Sequence, residues 1–395
     1  GGFMEIKRHI TTILVLVIAV VISWQSATYS QSGFFNFFKK DVEEQKERQT
    51  KDVELIKKQM QDIRKDIITR NLKFKVDITE AIKHEIDEIT GMSIPDTLED
   101  DARIQSNWGD KLFGYFLKKL REYEQKKGED RYFKKYDKKK EEKKATPGEL
   151  SEDETDIPEE KLPDYFQLAD PSQRAFNWYD KKMMTDVRYQ GTCGSCWAFT
   201  SLAVFEGCFK IMNDVELDLS EQHLLDCAED SRGRDAGSCN GGWYGNVFDY
   251  LTRNSTVEEK YAPYRGKTNS CRQTKNTGQK IVAWGYVEND AGIPTVSDMK
   301  KALSKHGPIA ACVKVTPAFQ AYVGGIFDEH VRVRGERDIN HGIVIVGWDD
   351  SKKAYLIKNS WGERWGKNGY MWIEYGCNNI GYGAAWITVD KTGIK

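Results

Sequence analysis

The residues in this sequence whose types and spacing suit nucleophilic catalysis are a glutamine and two cysteines close together, with a histidine and an asparagine far downstream. The stretch Gln190-Gly191-Thr192-Cys193-Gly194-Ser195-Cys196-Trp197-Ala198-Phe199 reads as a turn running into a helix. Gly191 and Gly194 interrupt regular structure and let a ligand approach the backbone. From Trp197 on, Ala198, Leu202, Phe205, Cys208 and Phe209 recur at three- and four-residue spacing, the pattern of a buried helix. Cys196 then stands at a helix start. Unpaired N–H groups and the helix dipole favour an anion there, and a thiolate is a nucleophile. The expectation is a thiolate formed well below the free-cysteine value of about 8.5. The competing reading of Cys193-Gly194-Ser195-Cys196 is a C-x-x-C redox or zinc site, but no second C-x-x-C exists to complete zinc ligation.

A nucleophile needs a base, and four histidines follow Cys196: His223, His306, His330 and His341. His341 opens Gly342-Ile343-Val344-Ile345-Val346-Gly347-Trp348, a buried-strand pattern that would hold its side chain rigidly. A second strand, Ala354 to Lys358, runs into Asn359-Ser360-Trp361-Gly362. Asn359 can accept from one imidazole nitrogen while Cys196 uses the other, and Trp361 can shield that bond from water. His223 and His306 lie in helix-like stretches and read as surface or packing residues. Around these residues, helices dominate from Phe176 to about Gly266. Ser220 suits an N-cap and Trp243 to Leu251 a short helix. Strands dominate from Lys280, at Ile281–Val287, Ile309–Val315, Gly342–Trp348, Tyr355–Lys358, Tyr370–Glu374 and Trp386–Val389, with one helix at Ser297–His306. A cleft between a helical half and a strand half would put Cys196 on one wall and His341 on the other.

These stretches, together with Phe176-Asn177-Trp178, Leu219-Ser220-Glu221-Gln222 and Cys239-Asn240-Gly241-Gly242, resemble the papain/cathepsin family of cysteine peptidases. The resemblance covers the chain from about Phe176 to its end and keeps the order Cys, His, Asn. It implies an α+β, papain-like two-lobed fold, with a helical left lobe and a β-barrel-like right lobe flanking the active-site cleft. It implies Cys196 as nucleophile, His341 as base, Asn359 as its orienting partner, and Gln190 with a backbone N–H as oxyanion holder. It places Gly241 and Gly242 on the strip where substrate backbone pairs. Trp243, Tyr244, Cys312, Ile339, Gly342 and Trp361 then line the substrate pocket, a lining that favours hydrophobic or aromatic side chains. By resemblance Cys193 pairs with Cys239 and Cys227 with Cys271. Cys208, Cys312 and Cys377 are left over besides Cys196, an odd number, so at least one is free. The family's usual third bridge has no partner in Gly324 to Asn340 and is absent or rerouted.

The chain has 395 residues, suited to two or three units. A net charge of −2 gives no general pull toward nucleic acid or anionic membrane. Eight cysteines, all downstream of Gln190, point to an oxidising compartment. Residues 1–30 read as a signal peptide or signal anchor. Lys7, Arg8 and His9 lead the apolar run Ile10 to Ser23, which is shorter than the roughly 20 residues a bilayer span needs. The expected destination is secretion or a lysosomal or vacuolar compartment; the alternative is anchoring by residues 10–24, the only route to a membrane. Residues 31–171 read as a pro-region, one that lacks a clean match to the helix motif of the family's pro-regions. Lys39 to Glu88 is charged and helical in pattern, and Phe74 to Leu120 carries enough apolar surface for a small folded unit. The lysine run 134–144 and the acidic run 149–161 read as an exposed, cleavable linker. Residues 172–395 form the catalytic domain. Asn254-Ser255-Thr256 is a glycosylation sequon. The expected function is a cysteine endopeptidase made as a zymogen, without metal or organic cofactor, acting on proteins or peptides and blocked by its own pro-region. The alternatives are an exopeptidase of the same family, disfavoured by the short interval from Cys227 to Cys239, or a binding protein that keeps only the fold.

Overall fold

The computed structural model describes residues 53–128, 168–230, 232–272 and 277–392. The leader 1–30 and the charged runs 134–144 and 149–161, with the expectations attached to them, lie outside the described residues. From Gln59 onward the described chain forms one compact unit, apart from 53–58. No described helix is long and apolar enough to cross a membrane.

Helix α1 runs through 59–70 and stops at Asn71, whose φ of 52° is left-handed. Strand β1 (Phe74–Val76) and the short helix α2 (Ile86–Ile89) follow. Of the helical pattern expected across Lys39 to Glu88, residues 39–52 lie outside the described residues, and the described part ends at residue 70. The reason is long-range. Strand β1 pairs antiparallel with β7 (Tyr322–Phe327), and the Phe74 ring packs 4.6 Å from that of Phe327. Helix α3 (Leu98–Lys127) has Glu99, Asp100 and Asp101 in its first turn and Lys126 and Lys127 in its last, the charge order its dipole favours. It packs along strand β5 (Ile281–Tyr286). The stretch from Phe74 to Leu120 thus makes no separate small unit. Phe74, Ile82, Ile89, Leu98, Phe113, Phe116, Leu117 and Leu120 are buried in the same compact body as the residues after 168, while Ile78, Ile104, Trp108, Leu112 and Tyr115 stay exposed.

The remaining chain contributes two layers. The helical lobe holds α4 (Cys196–Asn213), α5 (Glu221–Cys227) and α6 (Tyr244–Arg253). Helix α4 is apolar nearly all round, so it is buried on most faces and packs on strands of the other lobe. That lobe is a nine-stranded sheet in the order β1-β7-β10-β9-β8-β6-β11-β5, with β2 (Ala175–Asn177) paired to β8. Its strands are β6 (Ile309–Val313), β8 (His341–Asp349), β9 (Ala354–Lys358), β10 (Tyr370–Glu374) and β11 (Tyr382–Val389), besides β1, β2, β5 and β7. Helix α7 (Val296–His306) and the single turn α8 (Pro317–Gln320) accompany the sheet, and a small ribbon of β3 (Gly237–Ser238) and β4 (Gly241–Gly242) lies outside it. Strands β1 to β4 and β7 are additional to the strands read from the sequence, and β11 differs in its start. Strand β7 was not expected, because Gly324 and Gly325 dilute its pattern. Strand β11 starts at Tyr382 rather than Trp386, ahead of a left-handed Gly383.

Strands β8 and β9 make the hairpin that matters most for the site. They are antiparallel, with Val344 opposite Lys358, and every residue of both is buried. Residues just before Val344 and just after Lys358 must meet at the same end of the pair. His341 and Asn359 occupy those positions.

Ser220 caps α5, its hydroxyl accepting from the His223 N–H at 2.9 Å and donating to the Ala262 carbonyl. Ser220→Ala is expected to lower stability by about 1–2 kcal/mol, the usual cost of losing a cap plus a buried hydrogen bond. Urea unfolding of the full chain measures it; a midpoint unchanged from the parent contradicts the cap.

Candidate active site

His341 sits at the first residue of β8, fully buried, with Nε2 2.8 Å from Asn359 Oδ1. The same Oδ1 accepts from the Ser360 backbone N–H at 2.8 Å. Oδ1 therefore serves as acceptor, so the imidazole must donate from Nε2. In the neutral ring the lone pair then lies on Nδ1, which is buried with no hydrogen-bond partner. The Trp361 ring covers this pair at 4.8 Å from the imidazole.

Cys196 is the first residue of α4 and is fully buried. The backbone N–H groups of Gly342, next to His341, and of Gly91, Trp197 and Cys196 itself lie close enough to favour a thiolate there. Helix and strand walls thus meet at the thiol. Gln190 is tied on three sides. Its Nε2 donates to Cys193 O at 2.8 Å, its Oε1 accepts from Ser360 Oγ at 2.6 Å, and its backbone N–H donates to Ser360 O. The second Nε2 bond goes to the carbonyl of Ile89, at 3.2 Å.

Ile89 begins a segment of the N-terminal part that crosses the site. Its carbonyl also accepts from Trp361 Nε1, at 3.3 Å. Gly91 and Met92 donate to Asn340 O, the Gly91 carbonyl accepts from Gly242 N–H at 3.0 Å, and Ser93 N–H donates to Gly242 O at 2.9 Å. Met92 and Gly242 form a parallel bridge. The Met92 sulfur lies where a side chain on Gly342 would project. Gly91 passes so near Gly194 that a Cβ on it would stand 2.0 Å from the Gly194 carbonyl oxygen. Only glycine permits that approach.

Under this cover, burial dominates the electrostatics. It pushes the Cys196 thiol up to about 11, although the four N–H groups oppose it. Burial lowers His341 to about 4, with the Asn359 bond opposing. Thiol and imidazole are therefore both neutral around pH 7. The low thiol pKa expected from the helix start is corrected: desolvation outweighs the N–H groups and dipole while the segment lies over the site.

Behind the site lies a small cavity of about 20 Å³, lined by Arg188, Glu206, Glu221, Lys358, Asn359 and Ser360 among others. It has room for about one water. Burial raises Glu206 to about 6, offset by Lys358, the Thr185 hydroxyl and the Leu219 N–H. Burial lowers Lys358 to about 8, offset by Glu206 and Glu221. Lys358 Nζ donates to Thr185 O at 2.8 Å, and Thr185 Oγ1 donates to Glu206 Oε2 at 2.6 Å. Buried charges persist when paired and hydrogen-bonded. This chain fixes the end of β9, one residue before Asn359.

The structure brings most of the sequence-selected residues to one place. Cys196, His341, Asn359 and Gln190 cluster, and Gly242, Gly342 and Trp361 all meet the crossing segment. Gly241 belongs to the same β4 ribbon and faces Ser93. Trp243 and Tyr244 point inward instead. Trp243 Nε1 donates to Tyr286 Oη, and Tyr244 Oη donates to Gly383 O and lies 3.5 Å from Cys312 Sγ. Ile339 is buried beside Asn340. Cys193 is bonded to Cys239 and Cys227 to Cys271, while Cys208, Cys312 and Cys377 carry free, buried thiols. His223 and His306 are buried packing residues; His306 stacks on Trp386 at 4.0 Å. Sequence reasoning missed Asn340, Ser360 and the segment Ile89 to Ser93. The only signal for the segment was Gly91-Met92 ahead of Pro95, which no local pattern ties to the site. Among the described residues, no group of three or more His, Cys, Asp or Glu could hold a metal ion.

A helix-borne cysteine facing a strand-borne histidine–asparagine pair across two lobes defines the thiol-peptidase class of site. The model of the papain family of cysteine proteases matches residues 172–388, more than half of the chain, and the chain belongs to that family. It is 36% identical to procathepsin L of Rattus norvegicus over 219 residues, 52% of this chain and 61% of that protein. It is 33% identical to pro-cathepsin H of Mus musculus over 227 residues, 56% of this chain and 66% of that protein. It is 37% identical to gamete and mating-type specific protein A of Dictyostelium discoideum over 202 residues, 50% of this chain and 42% of that protein. The matches therefore span between about two fifths and two thirds of these relatives' lengths. The solved structure of digestive procathepsin L 3 from Tenebrio molitor larval midgut is 27% identical, with a TM-score of 0.49, covering 55% of this chain and 70% of that one.

With the site covered, iodoacetamide should label Cys196 slowly at pH 7. Removing residues 59–128 should accelerate labelling at least about a hundredfold, because a thiol near 11 supplies that much less thiolate than one at the free value. Mass spectrometry of the Cys196 peptide reads the rate. Equal rates with and without the segment would show that the cover does not control the thiol.

Proposed function

We propose that this chain is the zymogen of a cysteine endopeptidase, with residues 31–171 as its pro-region, 172–395 as its catalytic domain, and secretion or a lysosome-type compartment as its destination. The observation that carries this reading is the course of the segment Ile89 to Ser93. It enters beside Gln190 and Trp361, passes Cys196 and leaves along Gly242, with chain continuing at both ends. A cleft that accommodates a through-running chain suits an endopeptidase, since an exopeptidase must block one end. The two disulfides support an oxidising destination.

The chemistry follows from the residues. Once the segment leaves and water reaches the site, the thiol proton passes to Nδ1 of His341. The thiolate attacks the scissile carbonyl carbon, forming an S–C bond, and the oxygen takes the electron pair. Gln190 Nε2–H and the Cys196 N–H stabilise that oxyanion, the role Gln190 now plays for the Ile89 carbonyl. The imidazolium gives its proton to the leaving amine as the C–N bond breaks. A water deprotonated by His341 then attacks the thioester, releasing the acid and restoring the thiol.

Cys196→Ala in the catalytic domain should reduce hydrolysis of an end-blocked fluorogenic peptide below about one per cent, since losing one member of a catalytic unit costs orders of magnitude. Hydrolysis only of peptides with a free terminus would instead select the exopeptidase alternative. Gly91→Val should raise the neutral-pH activity of the full-length chain at least about tenfold, because its side chain collides with the Gly194 carbonyl. A fully silent Gly91→Val chain whose released catalytic domain is active would sink the inhibitory role of this segment.

Closure also depends on pH with a fixed sign. Burial holds His341 near 4 in the closed state, below its ordinary 6.5, so protonation works against closure. The closed state is fully favoured above 6.5 and loses up to tenfold in its ratio to the open state per pH unit between 6.5 and 4. Activity onset of the full-length zymogen against pH measures this; onset only above pH 7 would reverse the sign.

A further inference from the structure

We infer that the edge of β5 is an exosite for an amphipathic helix, and that α3 docked there holds the inhibitory segment in the cleft without help from the chain that follows. This rests on the reading of Ile89 to Ser93 as the inhibitor and adds what keeps it in place. Strand β5 ends the sheet, pairing only with β11 within it. An edge strand leaves unpaired backbone groups that need a partner. Helix α3 supplies one. Gln105 Nε2 donates to the Trp284 carbonyl at 2.9 Å, and Ser106 Oγ accepts from the Tyr286 N–H at 3.2 Å. At Gly109 the helix backbone comes so close that a Cβ would stand 2.0 Å from the Trp284 carbonyl oxygen. One turn on, Phe113 is inserted with 1% exposure, its ring 4.7 Å from His306 and 5.8 Å from Trp386. Small residues that admit a close backbone, followed by a buried aromatic, are how a helix grips a surface.

The position of α3 in the chain gives this grip its consequence. The last cleft contact is Ser93 and α3 begins at Leu98, with Pro95 O taking a hydrogen bond from Arg337 between them. This short tether keeps the inhibitory segment at high effective concentration over the cleft as long as α3 stays docked. Cleavage in the charged stretch 134–161 removes the covalent link but neither anchor. Complete separation of inhibitor from enzyme then requires undocking of α3 from β5 together with release of β1 from β7, and loss of the α3 grip leaves only the β1 pairing to hold the segment.

The test uses the full chain with a recognition site for a sequence-specific protease substituted at 140–146, cut after purification. Size-exclusion chromatography and hydrolysis of an end-blocked peptide are read together. The cut parent should elute as one particle at micromolar concentration and stay inhibited. Cut Phe113→Ala and cut Gly109→Ala chains should release the N-terminal fragment, with the fragment concentration for half-inhibition raised at least about thirtyfold. Both uncut variants should stay inhibited, and their freed catalytic domains should match the parent in kcat/KM, which establishes that they fold. Separation of the cut parent, or unchanged half-inhibition in both variants, overturns the exosite. An uncut parent that is fully active while its cut fragments still co-elute would instead overturn the inhibitor reading and leave the α3 anchor standing.

Discussion

Two glycine backbones in contact govern this structure. Gly91 can lie against Gly194 because neither carries a side chain, and everything in the covered site follows from that approach. It brings the Ile89 carbonyl to Gln190 and Trp361, and the Gly91 N–H to the Asn340 carbonyl, one residue before His341. It also removes water from the thiol and the imidazole. Charge separation between them is then unfavourable, because a buried ion costs more than the nearby dipoles return. The same residues that could run a thiolate reaction in an open cleft are held in their neutral forms by a backbone lying over them.

The cover is secured at a distance from the chemistry. One part of the N-terminal segment extends the sheet at β7 through β1, and another closes the opposite edge at β5 through α3. Sheet edges are natural docking points because their backbone groups are unpaired and their geometry is regular. Between these two grips the crossing segment is short and nearly free of side-chain anchors. It relies on backbone hydrogen bonds to Asn340 and Gly242, as an extended peptide must. Beneath it, the Lys358–Thr185–Glu206 chain braces the floor from which Asn359 projects. Positioning is thus done by buried charge on one side and by sheet pairing on the other.

The sequence by itself determined the parts whose signals are local. Helix α4 was legible from its apolar spacing and from the glycines before Cys196. Strands β8 and β9 were legible as buried runs, and their order fixed which end of the hairpin carries His341 and Asn359. The α+β division between a helical and a strand half followed from the same patterns. Ser220 was readable as a cap because capping involves only the next three residues.

Tertiary structure alone decided the rest, and the reason is that each such feature depends on partners far away in the chain. Phe74 to Val76 became a strand because β7 offered an edge, and β7 itself was hidden by Gly324 and Gly325, of which Gly325 admits that neighbour. Helix α3 could be seen as apolar, but nothing local said that its buried face belongs to β5. The protonation of Cys196 shows the point most sharply. Its place at a helix start favours the thiolate, yet a segment far upstream in the chain strips away the water and reverses the balance. Local sequence sets which groups are available, and only the fold sets the medium in which they ionise.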